Sequence, residues 1–141
     1  MARSHPIRVR EIDHLVLRVR RIEPMLAFYR DVLGCDLEKV QAKIGLYQLR
    51  AGRSLIDLVP VEGELGRMGG AAPGREAHNL DHLCLRLEPF DATAIVDCLD
   101  AHGVVHGAVE SRYGAEGEGP SIYLQDPEGN TVELKGPPDR A

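Results

Sequence analysis

Asp13-His14-Leu15-Val16-Leu17-Arg18-Val19 returns later in the chain as Asp81-His82-Leu83-Cys84-Leu85-Arg86-Leu87. Self-similarity of this kind marks a duplicated structural unit. Within each copy the side chains segregate by alternation. Leu15, Leu17 and Val19, then Leu83, Leu85 and Leu87, share one face; His14, Val16 and Arg18, then His82, Cys84 and Arg86, share the other. A period of two is that of a β-strand. The leucine face predicts helices packed against it. The His/Arg face cannot enter an apolar core without partners, so it predicts a polar cavity.

Working outward, each strand is followed by a helical pattern. In the first, Pro24 suits an opening turn, Ile22, Leu26, Tyr29 and Leu33 recur at helical spacing, and Gly34 stands where a left-handed cap belongs. In the second, Asp91 is an N-cap, Ala94, Ile95, Cys98 and Leu99 form the apolar stripe, and Gly103 ends it. Short strand-like runs follow: 37–40, 45–50 and 54–59 in the first half, then 104–109, 121–125 and 131–135 in the second. The unit is βαβββ, twice. The chain reads as one domain over 1–141, with module one at about 10–60, a linker at 61–79 and module two at about 80–136. The linker carries Gly63, Gly66, Gly69, Gly70 and Gly74 and is expected to double as a lid. A second glycine-rich stretch, 114–120, is expected to precede the penultimate strand as a loop, and the tail from Gly136 to fray.

Composition narrows the function. With 43% hydrophobic and 28% charged residues among 141, the chain is of ordinary globular make-up. A net charge of −5 without a dense basic run excludes the electrostatic footprint of a nucleic-acid binder. No apolar run is long enough to span a membrane, and Met1–Arg10 is polar and basic, which predicts a cytoplasmic protein. Cys35, Cys84 and Cys98 form no CxxC pair and are expected to be reduced packing residues. A small-molecule partner is what remains.

Four residues stand at equivalent points of the two modules: His14 and His82 in the opening strands, Asp57 and Glu133 in the closing ones. The closing segments match as Ser54-Leu55-Ile56-Asp57-Leu58 and Asn130-Thr131-Val132-Glu133-Leu134. Each acid faces away from its apolar neighbours, on the same side of the sheet as the histidines. Two imidazoles and two carboxylates suit one divalent ion, Ni, Zn, Co, Fe or Mn, with positions left for water or substrate oxygens.

The repeat, the Ala27-Phe28-Tyr29-Arg30-Asp31-Val32-Leu33-Gly34 segment and Asp126-Pro127-Glu128-Gly129-Asn130-Thr131-Val132-Glu133-Leu134 resemble the vicinal oxygen chelate superfamily over about residues 10 to 136. That family includes glyoxalase I, bleomycin-resistance proteins, fosfomycin-resistance thiol transferases, methylmalonyl-CoA epimerase and extradiol dioxygenases. The resemblance implies an α+β fold in which two βαβββ modules form a cup-shaped sheet around a metal held by His14, Asp57, His82 and Glu133, in a homodimer. It favours a glyoxalase-like lyase or isomerase acting on a small oxygenated anionic substrate or thiol adduct, with Glu133 as the catalytic base. Arg18 resembles the arginine that holds a glutathione carboxylate; Arg86 and Tyr123 are further substrate-binding candidates. For both arginines a salt bridge to an internal acid weighs equally. Asp57 replaces the family's usual Glu, and Val61 stands where a glutathione-binding Asn is expected. Fosfomycin-type thiol transfer is the alternative, supported by Ser121 and Tyr123 but not by Val16, which replaces an expected Thr. Metal-free ligand sequestration of the bleomycin-resistance kind is third. A dioxygenase triad ranks lower, because Asp57 would block an open position.

Overall fold

The computed structural model describes residues 5–139; the first four residues of the polar N-terminal segment and residues 140–141 of the expected domain lie outside the described residues. Strand β1 (His14–Val19) leads into helix α1 (Ile22–Ala27), then β2 (Leu37–Gln41), β3 (Leu46–Ala51) and β4 (Ser54–Pro60). After the linker come β5 (Leu83–Arg86), α2 (Ala92–Ala101), β6 (Glu110–Gly114), β7 (Gly117–Gln125) and β8 (Thr131–Lys135). The two halves form two four-stranded mixed sheets of identical order, β1-β4-β3-β2 and β5-β8-β7-β6. This is the doubled βαβββ, α+β architecture the repeat implies.

The alternation in the sequence becomes burial. Leu17 and Val19 are fully buried, whereas His14 and Val16 are exposed. Leu17, Met25, Tyr29, Ile56 and Leu58 of the first half form one continuous core with Leu83, Leu99, Ile122, Leu124, Val132 and Leu134 of the second. A fully buried leucine contributes roughly 1.5–3 kcal/mol. Neither half encloses this core alone.

The first helical pattern resolves into two pieces. After α1 the chain widens into a π-helical turn, Phe28–Val32, which turns both Phe28 and Tyr29 inward, ring edge to ring face with centroids 5.0 Å apart. Gly34 follows at φ 74°, as its place at the end of the helix requires. In α2, Asp91 accepts a hydrogen bond from the Ala94 N–H at 3.1 Å, as expected of an N-cap.

Three expectations are corrected. Residues 104–109 do not form a strand; they run past the end of β7, touching it only at the His106–Leu124 bridge, and the strand lies at Glu110–Gly114. The glycine-rich 114–120 stretch is not a loop but the hairpin of β6 and β7, with Gly114 paired to Gly117 and Arg112 to Gly119. The tail does not fray through residue 139, because Gly136 N–H donates to Pro120 O at 2.8 Å and Asp139 N–H to Glu118 O at 2.7 Å.

Contacts between the halves are specific. The Tyr29 hydroxyl donates to the buried Asp126 carboxylate at 2.8 Å. Glu128 accepts from the Arg20 and Arg21 N–H groups, neutralising donors just ahead of α1. Asn79 bonds to the free edge of β1 as a strand would, accepting from Arg18 N–H at 3.0 Å and donating to Arg18 O at 2.9 Å.

Candidate active site

Strand register makes the two halves of the site equivalent. On the first sheet Asp57 lies between Val16 on β1 and Gln48 on β3; on the second Glu133 lies between Cys84 on β5 and Tyr123 on β7. His14 and His82 each sit two residues before the β1 or β5 partner, hence on the same face as the acid. The acids are buried because β4 and β8 are interior strands, while His14 opens the edge strand β1 and His82, expected within the opening strand, immediately precedes the edge strand β5.

Each histidine is oriented by the residue before it. Nδ1 of His14 lies 2.8 Å from an Asp13 oxygen, and Nδ1 of His82 lies 2.6 Å from an Asp81 oxygen. A carboxylate on Nδ1 fixes the tautomer and turns Nε2 outward, as it does behind metal-bound imidazoles. The Asp13 hydrogen bond, opposed by slight desolvation and helped by Asp57, raises the His14 pKa above its ordinary value. Nε2 of His82 lies 3.3 Å from Glu133 Oε1, and Ser121 Oγ donates to Glu133 Oε2 at 2.8 Å. Asp57 accepts only long contacts, 3.3 Å, from Gln48 Nε2.

The four donors therefore fall into two pairs: His82 contacts Glu133, whereas His14 and Asp57 face the same side of the first sheet with no ion pair within 4 Å. His14 and His82 line one cleft of about 730 Å³ between the edges of β1 and β5. Among the described residues no three His, Cys, Asp or Glu side chains stand close enough together to hold a metal ion. The donor types fit a divalent ion.

The substrate-binding candidates fare differently. Arg18 points away from the cleft: its Nε and Nη2 donate to Gly66 O, Nη1 to Ala71 O at 3.0 Å and Nη2 to Gly70 O at 2.6 Å. Its guanidinium clasps the linker, so the segment expected to act as a lid is tied down at residues 66–71. Arg86 reaches Glu88 at 2.8 Å and Glu116, and lines a pocket of about 320 Å³ with His82, Cys84, Glu133 and Lys135. Tyr123 packs edge-on to His82 at 5.5 Å with the Arg112 guanidinium 4.4 Å from its ring centre; desolvation and then Glu133 raise its pKa. Cys84 is not a packing residue as expected: it is exposed on the polar face, where partial desolvation and Glu133 push its thiol up to about 11, making it a poor nucleophile at neutral pH. Asp13 and Asp81 were visible in the repeat, whereas Gln48, Arg112 and Lys135 carried no comparable signal.

The sequence profile of the Glyoxalase/Bleomycin resistance protein/Dioxygenase superfamily matches residues 11–134. The chain belongs to this superfamily. Virulence protein STM3117 of Salmonella typhimurium is 35% identical over 125 residues, covering 87% of this chain and 81% of that protein. Its crystal structure superposes with a TM-score of 0.75 at 30% identity, over 93% of this chain and 99% of the other. Mitochondrial methylmalonyl-CoA epimerase of Mus musculus is 26% identical over 139 residues, covering 94% of this chain and 76% of that protein. Lactoylglutathione lyase from Agrobacterium tumefaciens shares the fold, with a TM-score of 0.65 at 21% identity over 89% and 92% of the two chains. Among the described residues of this superfamily member, no helix is long and apolar enough to cross a membrane.

Proposed function

We propose that this superfamily member is a metal-dependent glyoxalase-like lyase or isomerase acting on a small oxygenated anionic substrate, with a thiol adduct among the candidates. The observation that carries this reading is the duplicated His–acid pair, each histidine oriented by its own aspartate, with both histidines facing one cleft. His14, Asp57, His82 and Glu133 would hold one divalent ion, Ni, Zn, Co, Fe or Mn, once the two pairs are drawn together in a homodimer. Such an ion supplies Lewis acidity toward two neighbouring substrate oxygens.

The remaining work falls to this chain's side chains. Glu133 is the proton acceptor: Ser121 fixes one of its oxygens, leaving the other beside His82 at the pocket wall. Burial beneath β7 and β5 shields that carboxylate from bulk water, which strengthens its interaction with a bound group. Arg86 and Tyr123 line the substrate side. Arg18 acts indirectly, by holding the linker. The similarity to methylmalonyl-CoA epimerase supports an isomerase class.

Elemental analysis and turnover test this together. Protein loaded with each metal in turn should retain about one ion per site and convert hemithioacetals of methylglyoxal or related 2-oxo compounds. Glu133→Gln should lose turnover. Fosfomycin consumption with an added thiol would redirect the assignment to thiol transfer. Tight binding of an apolar drug without turnover at any metal would redirect it to sequestration.

A further inference from the structure

We propose that Lys135, with Arg86 beside it, is a carboxylate-binding subsite at the end of the Glu133 pocket. Lys135 is only 6% exposed, yet among the described residues its side chain has no ion-pair partner within 4 Å. A lysine buried to this extent is usually paired, and here the stem is covered while the ammonium is left open to the pocket. Its most obvious internal partner, Glu133, is turned elsewhere, toward Ser121 and His82.

Strand register sharpens the point. Lys135 lies beside Arg86 in the register of the parallel β5–β8 pair, where two like charges repel. Arg86 is ion-paired with Glu88 and Glu116, whereas the Lys135 ammonium has no carboxylate within 4 Å among the described residues. The space around it is shaped for the lysine. Gly114 lies over the stem, where a Cβ would come within 2.5 Å of Lys135 Cε. The pocket of about 320 Å³ has room for a small organic anion reaching from Lys135 toward Glu133 and His82. Glu116 and Glu133 share the pocket wall, so a monoanionic carboxylate is favoured over a dianionic phosphate, which they would repel more strongly. The subsite refines the substrate class of the preceding section and rests on that reading only in placing the substrate in this pocket.

The test uses the full chain, stripped of metal by a chelator, at constant ionic strength. Propionate and inorganic phosphate are titrated while backbone amide resonances are followed. Propionate should shift the Gly114, Lys135 and Gly136 amides saturably, with a Kd of roughly millimolar order. Lys135→Met should weaken this by about tenfold or more, as loss of a charge-assisted contact does. Lys135→Arg should stay within about threefold of the parent, and Lys39→Ala, exposed on β2 at the outer edge of the first sheet, should change nothing. If Lys135→Met does not fold, Gly114→Ala serves instead: its methyl displaces the lysine stem without removing the charge and should weaken propionate binding likewise. Unchanged propionate binding in a folded Lys135→Met, or in Gly114→Ala where that variant stands in for it, overturns the subsite. So does tighter binding of phosphate than of propionate. Because the titration needs no metal, propionate binding as described alongside absent turnover in the metal-loaded protein would sink the proposed activity and leave the subsite standing.

Discussion

Tyr29→Phe removes one oxygen atom from the middle of the molecule. The ring is fully buried, so the phenylalanine fills the same space and creates no cavity. What disappears is the 2.8 Å hydrogen bond to Asp126, a contact between residues 97 positions apart that joins the π-turn of the first half to the β7–β8 turn of the second. Burial raises the pKa of Tyr29 well above its ordinary value, and Asp126 adds to this, so the hydroxyl is a neutral donor throughout the physiological range. Burial also raises the Asp126 carboxyl, opposed by donors from Asn130, Tyr29 and Glu128. Without Tyr29, Asp126 Oδ2 keeps only Asn130 Nδ2, at 2.8 Å. A hydrogen bond to a buried charged group contributes about 1.5–3 kcal/mol. For a chain of this length that corresponds to a fall in Tm of roughly 5–10 °C. Thermal and urea unfolding followed by circular dichroism at pH 7 would measure it. The double variant Tyr29→Phe/Asp126→Asn should lose less than the sum of the two single changes, because the partners share one bond. A Tm within about 1 °C of the parent would refute the view that this bond ties the halves together.

Other perturbations report on other parts of the molecule. Asn79→Ala strips both hydrogen bonds from the free edge of β1 and should cost about 1–2 kcal/mol, seen as a lower urea midpoint together with faster amide exchange at Arg18. Adding the preferred divalent ion at a hundred times its Kd should raise stability by about 2.7 kcal/mol, and His82→Ala should abolish the rise in a calorimetric scan. His106 has its pKa raised by the Gly107 carbonyl and then by Asp100. The protonated ring therefore favours the folded state; that contribution is complete below the ordinary histidine pKa of about 6.5 and is lost as pH climbs through the raised folded value. Proton NMR should find its midpoint above that of a free histidine, and Asp100→Asn should bring it down.

The residues whose environment is set by local alternation were legible before any coordinates. His14, Asp57, His82 and Glu133 were placed on one face because a period of two leaves no choice once their apolar neighbours are inside. The duplication supplied a second, independent reading of each. What the sequence did not carry was set by tertiary partners. Residues 104–109, rich in valine, lost to the polar Glu110–Gly114 segment because strand membership there is decided by pairing with β7, not by intrinsic preference. Arg18 and Arg86 occupy the same place in the repeat, yet one meets the linker and the other a pocket, since only the first has residues 66–71 packed above it. Lys135 went unnoticed because a lysine at the end of a strand is ordinarily solvated. The spacing of the two His–acid pairs depends on how the sheets sit edge to edge, which no local pattern encodes.

The clasp of Arg18 on the linker also fixes where the molecule can be cut and rejoined. By strand assignment the seam between the halves falls at Pro60, and the glycines beyond it look like an interchangeable tether. They are not. A side chain at Gly66 would collide with the Pro60 carbonyl, and one at Gly69 with the Arg18 guanidinium. The backbone oxygens of Gly66, Gly70 and Ala71 are the anion-like seat on which that guanidinium rests. A chimera that joins this first half to the second half of a relative must therefore take residues up to Ala71 with it, because a generic glycine–serine tether of equal length would leave a charged group beside β1 with nothing to hold. The unit of exchange is the first βαβββ together with its clasped segment, and only the seven residues from Ala72 to His78 are left to act as slack before Asn79, which is pinned to β1.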